Sequence, residues 1–178
     1  MTNAAGSVRC WRMPWTDVEL ATSRMRLWPW RESNRATWLA MHADADVRRF
    51  LGGPLPDGPM ERLRQAPIGV AWGVFCATEL TSGVPMGSFY LGRFRGELEL
   101  SYELLPQFWQ QGYAQEGCAA LLAWAWVTQS DHSVIAVTQT ANVPSRRLLA
   151  RLDFIEERTF LEWGSEQVQA RLQRPPIA

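Results

Sequence analysis

One stretch of the 178-residue chain gathers most of the residues that could do chemistry: Glu97-Leu98-Glu99-Leu100-Ser101-Tyr102-Glu103-Leu104, followed by a loop and then Gln110-Gln111-Gly112-Tyr113-Ala114. Strict alternation predicts a strand with Glu97, Glu99, Ser101 and Glu103 on one face and Leu98, Leu100, Tyr102 and Leu104 on the other. Carboxylates inside a central strand cost free energy unless they are solvated or used. Pro106 lies in the loop, and Gly112 opens a helix predicted over Gly112–Val127 from the spacing of Ala114, Cys118, Leu121, Leu122, Ala125 and Trp126. Amides at the start of a helix are unpaired and aligned with the positive end of its dipole, so this loop is a candidate anion site. Gly112, lacking a Cβ, would let a ligand approach the backbone. An ordinary tight turn would read the same way.

The remaining candidates are fewer. Asn142 and Ser145 sit in the first turn of a helix predicted over Asn142–Leu152, with Leu148, Leu149 and Leu152 inward and Arg146 and Arg147 nearby. His42 and His132 are two isolated histidines, and Cys10, Cys76 and Cys118 are scattered. That spacing fits neither a disulfide framework nor a metal site, so no metal is expected, and no Cys/His/Asp pattern favours a covalent intermediate. Cys118 reads as core.

Eighteen Lys and Arg balance eighteen Asp and Glu, which disfavours nucleic acid as a partner. The longest apolar run, Cys118 to Val127, is too short to span a bilayer, so no membrane partner is expected. Met1 to Cys10 lacks the apolar segment of a secretory signal, and the expected location is cytoplasmic. Ten tryptophans are many for this length. The first reading is large core and rim residues with their N–H groups satisfied; the alternative is that several line a cleft around an apolar or aromatic substrate, with Trp28, Trp30, Trp38 and Trp72 as the candidates.

Periodicity then supplies the elements. Residues 1–17 are expected to form a mobile arm, and 18–178 one domain. Strands are predicted over Val18–Trp28, Ile68–Glu79, Pro85–Arg93, Glu97–Leu104, Ser133–Thr138, Phe154–Trp163 and Gln167–Leu172. Helices are predicted over Glu32–Met41 and Asp44–Phe50, with a helical turn around Met60–Arg64, in addition to the two above. The order implies an α+β fold with a mixed sheet of about six or seven strands and about four helices.

Three of these stretches carry a resemblance. Trp109-Gln110-Gln111-Gly112-Tyr113-Ala114 is similar to the Gln/Arg-x-x-Gly-x-Gly/Ala loop of the GNAT N-acetyltransferase superfamily. With Glu116, with Asn142-Val143-Pro144-Ser145 and Leu152-Asp153-Phe154, and with Leu27 to Glu32 upstream, it resembles the ribosomal-protein acetyltransferase (RimJ/RimL-like) branch. The resemblance implies a GNAT-like fold and acetyl-CoA as co-substrate. The acyl group would pass by direct attack to a primary amine on a protein N-terminus or a small molecule. A catalytically silent acyl-CoA-binding or interaction module of the same fold is the alternative, and a homodimer is left open.

By the same resemblance, Gln110, Gln111, Gly112, Tyr113 and Ala114 hold the pyrophosphate. Tyr102 to Leu104 pair with the pantetheine arm on a strand that splays from its neighbour, and Asn142 and Ser145 touch the cofactor. Glu99 matches the family's frequent carboxylate and is the first choice for base, against a carboxylate at the solvated rim. Ser145 could protonate the thiolate directly or through water, merely bond to the cofactor, or be a first-turn residue with no chemical duty. The chain departs from the family at Gln111, where Lys or Arg is common, and Arg146 or Arg147 could replace that charge. Asp153 stands where a glycine usually ends the helix. Phe154 and Phe160 occupy the region of the usual tyrosine acid. The acceptor is expected against the first helices, Leu55–Pro67 and the last hairpin.

Overall fold

The structure, a computed structural model, describes residues 14–176. Eight strands form one sheet: β1 (Leu20–Ala21), β2 (Met25–Pro29), β3 (Val74–Glu79), β4 (Pro85–Phe94), β5 (Glu97–Leu104), β6 (Ser133–Gln139), β7 (Ile155–Glu162) and β8 (Ser165–Gln173). Their spatial order is β1-β2-β3-β4-β5-β6-β8-β7. Neighbours run antiparallel except β5 and β6, which are parallel. The helices are α1 (Arg35–Ala43), α2 (Asp57–Gln65), α3 (Tyr113–Thr128) and α4 (Val143–Arg151). The α+β architecture and the number of helices match expectation, although α2 stands where only a helical turn around Met60–Arg64 was expected. The sheet has one strand more because the predicted first strand is a hairpin.

That hairpin turns at Thr22–Arg24, where the Thr22 hydroxyl accepts from the Met25 amide at 2.9 Å and Thr22 N–H donates to the Met25 carbonyl. A chain that satisfies its polar groups locally leaves the ladder there. The predicted helix Asp44–Phe50 is a run of turns. The Asp44 carboxylate accepts from the amides of Asp46 and Val47, and the Arg48 guanidinium donates to the carbonyls of Leu51 and Gly53. These bonds close the segment on itself and hold it against β6, where Gln139 Nε2 donates to the Phe50 carbonyl. The Ile68–Glu79 strand is paired only from Val74 onward.

Residues 1–13 of the expected arm lie outside the described residues. At its described end, Trp15–Asp17 form a 3-10 turn, Trp15 packs edge-on to Phe75 and tilted against Trp124, and its indole N–H donates to the Gly69 carbonyl.

The main core lies between α3 and the sheet, where Leu121, Leu122, Cys118 and Ala125 meet Phe89, Leu91, Leu98 and Leu100. Each buried Leu or Phe contributes roughly 1.5–3 kcal/mol of transfer free energy. Gly117 lies on the buried side of α3 because the Phe89 ring occupies the place of its Cβ, 2.3 Å from Cζ. On the opposite face, Trp30, Met41, Val47 and Cys76 form a smaller cluster under α1. The β4–β5 hairpin closes through Arg95 and Gly96, both at positive φ, as two-residue hairpin turns require.

Candidate active site

The site opens where β5 and β6 part. Their ladder consists of a single pair, Glu99 with Ile135, and beyond it toward Leu104 and Gln139 the two strands are unpaired. A cavity of about 870 Å³ fills this region, bounded by β5 from Leu100 to Leu104, β6 from Ala136 to Gln139, the start of α3, α4, and the Asp46–Gly52 turns. The splay expected of the strand before the loop is therefore present.

At one end stands the candidate anion loop. Gly112 caps α3 at φ +83°, and no side chain caps the helix, so its first amides point toward the cavity end without a side-chain partner. Gln110, Gly112 and Ala114 line the cavity, and Gln110 is itself at positive φ. Gln111 is turned away: its side-chain amide donates to the Gln107 carbonyl at 2.7 Å. Tyr113 is turned inward, donating to Glu79 at 2.8 Å, so only its backbone is left for a ligand. The Leu104 carbonyl already accepts the Trp109 indole N–H at 2.7 Å.

The cation missing from the loop sequence has a counterpart elsewhere in the chain. Arg24 donates to the Gln111 carbonyl at 2.9 Å, lies over the Tyr113 ring and is ion-paired with Glu116 at 2.7 Å. Burial pushes the Glu116 carboxyl up, but hydrogen bonds from Thr22, Ser23 and Arg24 outweigh it and bring its pKa down to about 2. The pair thus stays charged at neutral pH and ties the loop and the start of α3 to the β1–β2 turn. Of the two arginines expected to supply a charge, Arg146 is paired with Glu156, whereas Arg147 lines the cavity with no such partner among the described residues.

A hydrogen-bonded chain crosses the cavity wall. Asn142 Nδ2 donates to the Thr138 hydroxyl, the Ser145 amide donates to Asn142 Oδ1 at 3.3 Å, and the Tyr102 hydroxyl donates to Ser145 Oγ at 3.2 Å. Burial holds the Tyr102 phenol up at about 12, so it remains a proton donor at neutral pH. Sequence reasoning had Tyr102 contributing backbone alone. Its hydroxyl reaches Ser145 because β5 and α4, 43 residues apart, share this wall.

The acidic face divides in two. Glu103 lines the cavity and accepts the Tyr90 hydroxyl at 2.5 Å. Glu99, the expected base, does not line it; it sits at the foot of the splay, where burial pushes its carboxyl up to about 7. Ser101 lies between them on the same face and lines the cavity. Glu97 is paired with Arg171. Glu103 was indistinguishable from its neighbours by alternation; its partner Tyr90 comes from the adjacent strand.

The structure decides several alternatives that the sequence left open. None of Trp28, Trp30, Trp38 and Trp72 lines the cavity; Trp109 and Trp163 do. Trp30 donates to the Ser88 hydroxyl, and Trp72 packs beside Trp15 and Trp124. Of the regions expected to face the acceptor, the Asp46–Gly52 turns and the last hairpin, through Trp163 and Gln167, line the cavity, and Leu55–Pro67 does not. His42 donates its Nδ1–H to the Trp38 carbonyl, and Cys76 and Cys118 are buried thiols with raised pKa values. Asp153 adopts φ +63° after α4, the left-handed conformation the family's glycine would take. No helix among the described residues is long and apolar enough to cross a membrane.

A family model described as an acetyltransferase (GNAT) domain matches residues 24–155. The FsC-acetyl coenzyme A-N(2)-transacetylase of Aspergillus fumigatus is 24% identical over 160 residues, which are 79% of this chain and 66% of that protein. The uncharacterized N-acetyltransferase YoaA of Bacillus subtilis is 26% identical over 95 residues, 53% of this chain and 54% of that protein. The chain thus spans about two thirds of the length of one curated relative and about half of the other. The crystal structure of an acetyltransferase (GNAT family) from Bacillus anthracis superposes with a TM-score of 0.77, covering 88% of this chain and 98% of that one at 16% identity. At that identity the likeness shows a common fold.

Proposed function

Since the chain belongs to the GNAT acetyltransferase domain family, we propose that it transfers an acetyl group from acetyl-CoA to a primary amine by direct attack. The observation that carries this reading is the parting of β5 and β6 beyond Glu99 and Ile135, which opens the cavity beside the uncapped start of α3. The residues present fit the donor. The α3 amides and Gly112 would hold its pyrophosphate, Arg147 would add charge, and the β5 backbone at Tyr102 would receive the pantetheine arm. The similarity of Trp109–Ala114 and Asn142–Ser145 to the RimJ/RimL-like branch supports placing the chain there.

The bound donor supplies a thioester carbonyl, to which the amine nitrogen bonds as the carbon–sulfur bond breaks. The chain's own groups manage the protons. Glu99 takes the proton of the incoming ammonium through water along Ser101, since its carboxyl titrates near neutrality. Ser145 gives a proton to the departing sulfur and is re-supplied from Tyr102, which points its hydroxyl at Ser145 Oγ.

Two expectations follow. Ser145→Ala lowers kcat by about 10- to 100-fold, and Tyr102→Phe lowers it less; in the double variant the losses are not additive, because both act on one proton path. Steady-state kinetics of the four proteins checks this, and strictly additive losses would contradict the shared path. Glu99 must be ionised to act, so kcat/KM rises with pH through about 7, and Glu99→Gln abolishes that inflection. The sign for stability is opposite: a carboxyl whose pKa is raised on folding disfavours the native state as pH climbs from its ordinary 4.5 through about 7. Glu99→Gln therefore raises Tm at pH 8 relative to wild type.

The reading itself is tested by calorimetric titration with acetyl-CoA, followed by mass spectrometry of an amine and peptide panel. Donor binding with no acetylated product on any amine would favour a silent binding module.

A further inference from the structure

Away from the phosphate loop, the cavity acquires a different character. Large apolar side chains that are exposed to solvent are scattered over the molecule, but Leu51, Trp109 and Trp163 line this one cavity. Trp109 belongs to the loop end. Leu51 is 50% exposed and Trp163 70% exposed, and they come from unconnected elements, the turns after α1 and the β7–β8 hairpin.

Trp163 is held there at a cost. Glu162 pairs with Ser165, so Trp163 and Gly164 form a two-residue hairpin turn, with φ +50° and +73°. Such turns favour Asn-Gly or Gly-Gly, and a bulky side chain at positive φ is strained. Its ring tilts against Phe94 with centroids 5.9 Å apart, yet most of its surface stays open. Arg95 takes the same conformation in the β4–β5 turn, so the dihedral alone marks no site; what marks one is an aromatic left 70% exposed on a cavity wall, which a ligand with an apolar body would cover.

Charge narrows the ligand. The cavity lining carries two carboxylates, Asp46 and Glu103; with Arg147 given to the donor, two guanidiniums, Arg49 and Arg151, remain to oppose a polycation. A polycation would find too few partners there. Glu103 is the ordered carboxylate: Tyr90 holds one of its oxygens, leaving the other to accept from an ammonium group. Tyr90 stays protonated because burial and the adjacent Glu103 both push its pKa well above the ordinary value.

We propose that the acceptor is a monoamine on an apolar, ring-bearing body, its nitrogen received by Glu103 and its body packed on Trp163 and Leu51. This deepens the acetyltransferase reading and rests on it for the reaction, but the binding site can be tested without turnover. Acetyl-CoA binding is measured first. Then 2-phenylethylamine and spermidine are titrated into the CoA-saturated protein, its Trp163→Asn variant and its Glu103→Gln variant, and the same amines are assayed for acetylation.

The expected results are 2-phenylethylamine favoured over spermidine by about tenfold or more, and a loss of about tenfold in its affinity in each variant. Trp163→Asn, which suits the turn, leaves Tm unchanged or higher, whereas an ordinary packing residue would lower it. Preference for spermidine, or 2-phenylethylamine binding that ignores Trp163, overturns the proposal. If acetyl-CoA does not bind, the amines are titrated into the protein alone: binding of 2-phenylethylamine that depends on Trp163 and Glu103 would then sink only the acetyltransferase reading, and no such binding would overturn the proposal as well.

Discussion

Gly112→Trp is expected to weaken acetyl-CoA binding by about a hundredfold or more, roughly 2.8 kcal/mol. Two physical terms act in the same direction. Gly112 is at φ +83°, where a side chain costs about 1–2 kcal/mol. A Cβ there would lie 3.3 Å from an Arg24 guanidinium nitrogen, so an indole is driven from Arg24 toward the cavity and over the α3 amides. Gly112→Ala shares the backbone strain but not the obstruction, so it is expected to bind with an intermediate affinity. Calorimetry on the three proteins, each checked for an intact melting transition, separates blocking from unfolding. Full affinity in the folded Trp variant would remove the α3 amides from the donor site.

Gly117→Val is expected to be the most damaging single change to the fold. A Cβ at Gly117 would stand 2.3–2.8 Å from three carbons of the Phe89 ring. Phe89 is itself completely buried in the core between α3 and the sheet, so moving its ring would displace its packed neighbours. Overpacking of a tight core costs typically 1–3 kcal/mol, and at these distances the upper end applies. For a chain of this size each kcal/mol lowers Tm by about 2–4 °C, so a fall of at least about 6 °C is expected. Phe89→Leu makes space, and the double variant should recover part of the loss. A Gly117→Val protein that melts like wild type would mean that α3 can slide on the sheet.

The two glycines show how different kinds of information enter the chain. Gly112 was legible because its neighbours carry a local pattern: an alternating strand, a loop with proline, and an apolar period of helical spacing. Gly117 was not, because its partner Phe89 lies on a strand nearly thirty residues earlier. The same division runs through the site. Asn142 and Ser145 could be placed at a helix start from local spacing, and the structure brings them to the cavity wall. That Tyr102 meets Ser145, that Tyr90 grips Glu103 and not Glu99, and that Arg24 stands beside Gln111 are all long-range facts. Alternation assigns a face to a carboxylate but not a depth, so Glu97, Glu99 and Glu103 look alike until Arg171, burial and Tyr90 separate them.

The elements divide for a similar reason. The strands at Glu97–Leu104 and Pro85–Phe94 and the helix after Gly112 follow from periodicity, because burial on one face imposes a period that the residues must obey. The Asp44–Phe50 segment has the composition of a short helix, yet its polar side chains capture its own backbone and it folds into turns. The tryptophan count left core packing and a cleft both open, and only assembly decided which rings reach the cavity. By itself the sequence determined the fold class and the loop at the start of α3, both written in local order. The tertiary structure decided the depth of each carboxylate, the tyrosine on Ser145 and the aromatic at the cavity mouth, since each depends on which distant strand lies alongside.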